Sequence, residues 1–149
     1  KNDEAHTKLA AELKDKKSLR KYWAIVHGNL PNDRGVIEAP IGRSEKDRKK
    51  QAVTAKGKKA VTRFQVLERF NHFTFVELTL ETGRTHQIRV HFQYLGHPLI
   101  GDEMYGGKQI ISRQALHCYW MKFYSPFKQQ WIEVQAPVPE DMLNLIDSI

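Results

Sequence analysis

The stretch "FTFVELTLETGRTHQIRVHFQYLG", residues 73–96, changes its hydrophobic period halfway along. Its first part alternates apolar and other residues, with Val76, Leu78 and Leu80 on one side, as a half-buried strand does. From residue 85 to 94 the pattern no longer alternates strictly, and Gly96 offers a helix C-cap. The stretch therefore predicts a strand, a tight turn and a helix.

Strands are predicted on both sides of this stretch. "AVTRFQVLERF" alternates in the same way, and the intervening Asn71 indicates an antiparallel hairpin with residues 73–80. The aromatic and β-branched run from Tyr22 to Val26 predicts a buried, central strand that ends at Gly28. Residues 29–59 are rich in proline, glycine and basic residues, and they predict loops with short strands.

Further strands and a helix are expected towards the C-terminus. "GDEMYGG" predicts a turn, "ALHCYWMKF" and "QQWIEVQAP" predict strands, and "EDMLNLIDSI" predicts a closing helix. The spacing of Leu9 and Leu13 predicts a short amphipathic helix near the start. Together these elements favour one α+β unit with a mixed, mainly antiparallel β-sheet and a few helices.

Charge and composition narrow the classes of function. The 149 residues carry 24 Lys and Arg against 17 Asp and Glu, a formal net charge of +7 that favours a polyanionic partner. The single cysteine, Cys118, excludes an internal disulfide and a Cys-rich zinc framework, which makes a cytoplasmic location the default. The sequence has neither an apolar run long enough to span a bilayer nor the hydrophobic centre of a signal peptide, so no membrane partner is expected.

The polar residues of "ETGRTHQIRVHFQYLGHPLIGD", residues 81–102, are denser than packing requires. His86 and His91 are five positions apart, so on a helix they diverge, and no HExxH motif or clustered carboxylate completes a metal site. No GxSxG elbow or glycine-rich phosphate loop is present either. What remains is an anion site, where a strand leads through a tight turn and Arg84 into a helix that carries Arg89 about one turn later.

At this point the sequence resembles the RluA-type pseudouridine synthases. The resemblance rests on "LETGRTHQIRVHFQYLGHPLIGDEMYGG", and also on "KYWAIVHG", "PIGR", "KKAVTRFQVLERF" and "ALHCYWMKF" in the same order. It covers nearly the whole chain and implies the pseudouridine synthase fold, a sheet split by an RNA-binding cleft. It also implies isomerisation of uridine to pseudouridine in structured ribosomal or transfer RNA, with no metal, no organic cofactor and no DNA partner.

The resemblance assigns two catalytic residues and lacks a third. Arg89 matches the arginine that pairs with a nucleophilic aspartate, and Tyr22 matches the tyrosine beside the target base. No aspartate here lies in the family's HRLDxxTSG-like motif, which is expected upstream of residue 1. Residues 1–149 are thus interpreted as part of a catalytic domain that is inactive alone and self-associates through the face that the missing part would cover.

The remaining site assignments concern the turn and the basic loop. Arg84, His86 and Gln87 are assigned to substrate binding, with bracing of the turn or orientation of Arg89 as the alternative. Three basic loop residues are expected to contact phosphates: Arg43, Lys49 and Lys50. Asp102 is left outside the site as a turn residue. Two rival functions stay open, a non-catalytic RNA-binding module and a metal or phosphate enzyme that uses the histidines.

Overall fold

The fold is built on a six-stranded sheet. The structure, a computed structural model, describes residues 19–148. The strands are β1 (Leu19–His27), β2 (Arg34–Glu38), β3 (Ile41–Arg43), β4 (Gln51–Val53), β5 (Val61–Arg69), β6 (Phe73–Leu80), β7 (Leu116–Ser125) and β8 (Gln130–Gln135). The helices are α1 (Gln87–Tyr94) and α2 (Glu140–Ser148), and a 3-10 turn spans Glu103–Tyr105.

The strands confirm the predicted fold class. The sheet order is β2-β5-β6-β1-β7-β8, and each neighbouring pair is antiparallel. Strands β3 and β4 form a separate antiparallel ribbon. The hairpin at Asn71, the central position of β1 and the strands and helix towards the C-terminus are as predicted. The expected helix around Leu9 and Leu13 lies outside the described residues.

Strand β1 is buried on both faces. Ala24 and Val26 pack in one cluster with Leu78 of β6 and with Ile88 and Phe92 of α1. On the opposite face, Ile25 packs in a second cluster, which contains Met142 and Leu145 of α2. Helices therefore cover the sheet on both sides of β1. A strand enclosed in this way needs apolar residues at every position, which explains the continuous run in its sequence.

Helix α1 begins two residues later than the sequence predicts. The expected start was Thr85, but His86 has φ 56° and ψ 25°, in the left-handed region, and the helix begins at Gln87. The end is as predicted, because Gly96 follows the helix with φ 85°. The late start gives the chain a tight turn between β6 and α1, and most of the predicted site residues lie in or beside that turn.

A third cluster joins the β3–β4 ribbon to α1. It contains Ile41 of β3, Ala60, Val90 of α1 and Tyr105 of the 3-10 turn, with Val53 of β4 packed against it. This contact places the basic loop between β3 and β4 next to the start of α1. Within residues 19–148, no helix is long and apolar enough to cross a membrane.

Candidate active site

The turn from β6 into α1 is held by the side-chain amide of Gln87, which is 2% exposed. Its Oε1 accepts hydrogen bonds from the Thr82 hydroxyl (2.7 Å) and the Arg84 backbone N–H (3.0 Å). Its Nε2 donates to the Val61 carbonyl (3.0 Å) and the Thr62 hydroxyl (2.9 Å). These four bonds use both N–H groups and both lone pairs of the amide. Gln87 therefore braces the turn, which is the alternative stated for it above, and the hydrogen-bonding positions of its amide are occupied within the protein.

Arg89 and Asp102 form a bidentate ion pair. The Nε of Arg89 donates to Oδ2 of Asp102 at 2.9 Å, and its Nη2 donates to Oδ1 at 2.8 Å. The Asp102 side chain is 1% exposed and the Arg89 side chain 15% exposed. A planar fork with two parallel bonds fixes one edge of the guanidinium, which a lysine could not do. Among residues 19–148, no side chain or carbonyl accepts a hydrogen bond from Nη1 of Arg89.

Tyr105 packs against the face of the same guanidinium. The Cζ atom of Arg89 lies 5.0 Å from the centre of the tyrosine ring, within the range of a cation–π contact. Tyr105 is 1% exposed, and its hydroxyl accepts a hydrogen bond from the Gln51 backbone N–H at 3.0 Å. The same oxygen lies 2.7 Å from Nδ1 of His86. Tyr105 thus links the guanidinium, the turn before α1 and strand β4.

Electrostatics set the protonation of this cluster. The hydrogen bonds that Arg89 donates to the Asp102 carboxylate raise the pKa of Arg89, against the opposing effect of burial. Burial lowers the pKa of His86, and the nearby Arg89 cation lowers it further, while Asp102 acts in the opposite direction. At neutral pH Arg89 is charged and His86 is neutral. The Arg89–Asp102 ion pair carries no net charge. Its effect on a bound anionic group therefore depends on the direction of the Arg89 N–H groups more than on net positive charge.

Tyr22 lies on the side of the sheet that α1 covers. It is half-buried against the cluster that contains Ile88 and Phe92. Burial raises the pKa of its hydroxyl, and the neighbouring Cys118 adds to the rise, while Arg20 opposes it. The phenol is therefore protonated at neutral pH. The helix carrying Arg89 and the strand carrying Tyr22 share one hydrophobic cluster, although the polar contacts of Arg89 go to Asp102 and Met104.

The predicted phosphate-binding residues lie on the ribbon and in the turn before α1. Arg43 is exposed at the end of β3 and pairs in register with Gln51, the residue that bonds Tyr105. Lys49 is exposed and Lys50 half-buried in the loop just before β4. Arg84 is half-buried, and its Nε donates to the carbonyl of Lys59 at 2.7 Å, which ties the turn to the chain that leads into β5.

The two histidines of the predicted helix point to different elements. His91 is fully buried, with Nε2 at 2.9 Å from the Ala39 carbonyl and Nδ1 at 2.8 Å from the Thr62 hydroxyl. It serves as a hydrogen-bonding core residue between α1, β5 and the chain after β2, while His86 faces Tyr105. In the described part of the chain, no three His, Cys, Asp or Glu side chains group as metal ligands.

A sequence model of the family described as RNA pseudouridylate synthase matches residues 1–94. The chain belongs to this family. The match includes β1 with Tyr22, the β3–β4 ribbon, the turn before α1 and α1 with Arg89. The segment with Asp102 and Tyr105 lies beyond the matched residues, although it completes the surroundings of Arg89.

Curated relatives of the synthase family match almost the whole chain. It is 52% identical over 151 residues to the Bacillus subtilis protein named "Uncharacterized RNA pseudouridine synthase YlyB", covering 100% of this chain and 50% of that protein. It is 41% identical over 160 residues to ribosomal large subunit pseudouridine synthase D of Vibrio vulnificus, covering 97% of this chain and 49% of that protein. The chain spans about half the length of the curated relatives it matches.

Solved structures of the synthase family share the fold. Human RNA pseudouridylate synthase domain containing 1 superposes with a TM-score of 0.76 at 24% identity, over 94% of this chain and 69% of that one. Human RNA pseudouridylate synthase domain containing 4 gives 0.70 at 22% identity, over 99% and 67%. The architecture described above is therefore the pseudouridine synthase fold, as the resemblance implied.

Two residues of the site were missed by sequence reasoning. Asp102 was left out as a turn residue, and Tyr105 was not considered, yet both contact Arg89. A signal was present for both, because "GDEMYGG" continues the family-like segment after the helix. A buried ion pair between residues 13 positions apart requires the chain to fold back over α1, and no local pattern encodes that return.

Proposed function

We propose that the protein containing this chain isomerises uridine to pseudouridine in structured RNA, ribosomal or transfer. The observation that carries the proposal is the Arg89 guanidinium, fixed on one edge by Asp102 and on one face by Tyr105, with no acceptor for Nη1 among residues 19–148. Membership of the synthase family and the relative named ribosomal large subunit pseudouridine synthase D support it. The proposal includes a cytoplasmic location and no cofactor.

Arg89 is proposed to orient a nucleophilic aspartate from a segment that precedes residue 1. The reaction breaks the bond between C1′ of the ribose and N1 of uracil and joins C1′ to C5; the hydrogen on C5 leaves as a proton, and N1 takes up a proton. A carboxylate that acts in this reaction must stay ionised and correctly placed, and charge-assisted hydrogen bonds from Nη1 serve both purposes. Because Asp102 already neutralises Arg89, the contribution comes from the direction of these N–H groups.

Tyr22 is proposed to contact the flipped uracil. A stacked base cannot be isomerised, so the nucleotide must leave the helix at a cost of a few kcal/mol. Stacking on an aromatic ring offsets about 1–3 kcal/mol of this cost. The raised pKa of Tyr22 keeps its hydroxyl protonated, which suits a hydrogen-bond donor or a stacking ring better than a tyrosinate base.

RNA is proposed to lie across the ribbon and the turn. Four side chains there are assigned to substrate binding: Arg43, Lys49, Lys50 and Arg84. His86 is assigned with them and also contacts Tyr105. Contacts to phosphates set the position of the RNA without reading its sequence, and they make binding weaken as salt rises.

Release of tritium from RNA labelled at C5 of uridine tests the proposed activity. The full-length protein should release tritium, and Arg89→Lys should abolish most of the release while RNA binding persists, because lysine lacks the planar fork. Arg63→Lys is the matched control, since Arg63 is an exposed arginine of β5 outside the site. Tight RNA binding without any release by the unaltered protein would instead support the rival function, a non-catalytic RNA-binding module.

The isolated chain is proposed to be inactive and to self-associate. It has no candidate nucleophile in the family's motif, and β8 is an edge strand of the sheet. Trp131 and Val134 of β8 are 42% and 48% exposed, which provides an apolar edge that another copy can pair with. Sedimentation of the isolated chain should show concentration-dependent association, and a monomer at high concentration would contradict this.

A further inference from the structure

Tyr105 joins three parts of the site. It bonds the β4 backbone at Gln51 and the ring of His86, while the tyrosine ring packs on Arg89. The Gln51 N–H donates to the tyrosine oxygen, which keeps a second lone pair and its own hydrogen. The hydroxyl donates to Nδ1 of His86 in the tautomer that carries the ring proton on Nε2, and it accepts from Nδ1 in the other tautomer.

The backbone that carries Tyr105 is short and bounded by glycines. The 3-10 turn Glu103–Tyr105 lies between Gly101, with φ 81°, and Gly106, with φ 97°. The ring is packed in the cluster that contains Ile41 and Val90, and the two contacts of its hydroxyl add to this packing in fixing its orientation. The side chain is 1% exposed, so water cannot replace the bonds to Gln51 and His86 without rearrangement.

We propose that Tyr105 is a positioning residue, whose hydroxyl keeps the ring over the Arg89 guanidinium and couples the guanidinium to the basic β3–β4 ribbon. The inference rests on the proposed function. Asp102 fixes one edge of the Arg89 guanidinium, but two bonds along one edge still allow the guanidinium plane to rotate about that edge. The face of the Tyr105 ring restricts this rotation. RNA held by Arg43 or Lys50 on the ribbon is then kept in register with Nη1 of Arg89.

The hydroxyl can be removed without removing the ring. Tyr105→Phe in the full-length protein keeps the packing on Arg89 and deletes both bonds of the oxygen. We expect kcat for pseudouridine formation to fall about ten- to hundred-fold, since small misplacements of a catalytic group have effects of this size. KM and the RNA dissociation constant should change less than about twofold, because no RNA contact is lost. Tyr94→Phe is the matched control, since Tyr94 of α1 is 61% exposed.

A second readout is independent of activity. In ¹⁵N NMR spectra, the Nε–H of Arg89 should exchange with solvent faster in Tyr105→Phe than in the unaltered protein or in Tyr94→Phe. If Tyr105→Phe does not fold, His86→Asn removes the other end of one bond while asparagine tolerates the left-handed backbone at that position. The same change in Arg89 exchange is expected there.

The outcomes separate this inference from the proposed function. A fall in kcat with steady KM and faster Arg89 exchange supports it. Loss of thermal stability with unchanged kcat and unchanged exchange overturns it, since the hydroxyl then only stabilises the fold. A rise in KM alone also overturns it. If the unaltered protein forms no pseudouridine, the proposed function fails, and the exchange measurement alone decides whether Tyr105 orders Arg89.

Discussion

Replacing Asp102 by asparagine tests whether the buried ion pair governs both stability and the site. The substitution keeps the shape of the side chain and removes its charge. One amide oxygen can still accept from Arg89, but the amide nitrogen then faces a guanidinium N–H, donor against donor. The guanidinium loses its counter-charge inside the protein.

The expected size of the effect follows from burial. Removing one partner of a buried pair costs about 3–5 kcal/mol. Asp102 is 1% exposed, which places the pair in this class, but Arg89 is 15% exposed and keeps one hydrogen bond. We therefore expect the lower end, a loss of about 3 kcal/mol in the free energy of unfolding.

An exposed pair in the same protein provides the control. Arg63 and Glu81 are 2.7 Å apart, but their side chains are 54% and 44% exposed. Glu81→Gln should therefore cost less than about 1 kcal/mol. Urea denaturation followed by circular dichroism measures both variants, with the slope against urea checked for constancy.

A double replacement separates stability from function. Arg89→Met with Asp102→Leu removes both charges and leaves apolar side chains, which buried sites often accept without loss. This variant should recover most of the stability lost in Asp102→Asn and none of the activity. If Asp102→Asn costs no more than Glu81→Gln, the pair is not buried as described and the reasoning is refuted.

Three further measurements address other buried polar groups. Gln87→Leu should lower the free energy of unfolding by about 1–3 kcal/mol, because the buried groups that bond the Gln87 amide lose their hydrogen-bond partner. Gln93→Leu, at an exposed site of the same helix, should change that free energy little. Burial lowers the pKa of His91, so the unfolded state binds the proton more readily and stability should fall as pH drops below about 6.5. His91→Gln should reduce the pH dependence of the melting temperature, and His72→Gln, at an exposed site, should not. Burial and a hydrogen bond to the Glu77 carboxylate raise the pKa of Tyr119 to about 12. In Tyr119→Phe, the ultraviolet titration of the tyrosines should therefore lose one phenol that ionises near pH 12. An unchanged titration would contradict that assignment.

Local sequence patterns were sufficient for most of the secondary structure. The alternation in residues 73–80 and the continuous apolar run of β1 correctly predicted strands, since burial on one or two faces imposes those periods directly. The start of α1 was less predictable. His86 has a left-handed backbone in a turn that the Gln87 amide ties to Val61 and that Tyr105 contacts through His86, and both Val61 and Tyr105 are distant along the chain.

The site residues also differ in how far local sequence could predict them. Arg84, His86, Gln87 and Arg89 could be selected from sequence because one turn and one helix bring them together. The role of Gln87 could not be predicted, since an amide that braces a turn and one that binds a ligand look identical in a sequence. The tertiary structure shows its amide bonded to Val61 and Thr62.

The sequence by itself determined the family and the order of strands and helices along the chain, because both depend on residues that are neighbours along the chain, and the resemblance it carries singled out Arg89 as a candidate. Only the tertiary structure identified Asp102 as the partner of Arg89 and Tyr105 as its link to β4. The Gln51–Tyr105 bond joins residues 54 positions apart. Such contacts depend on how separate segments pack together, and side-chain periodicity within any one segment carries no record of that packing.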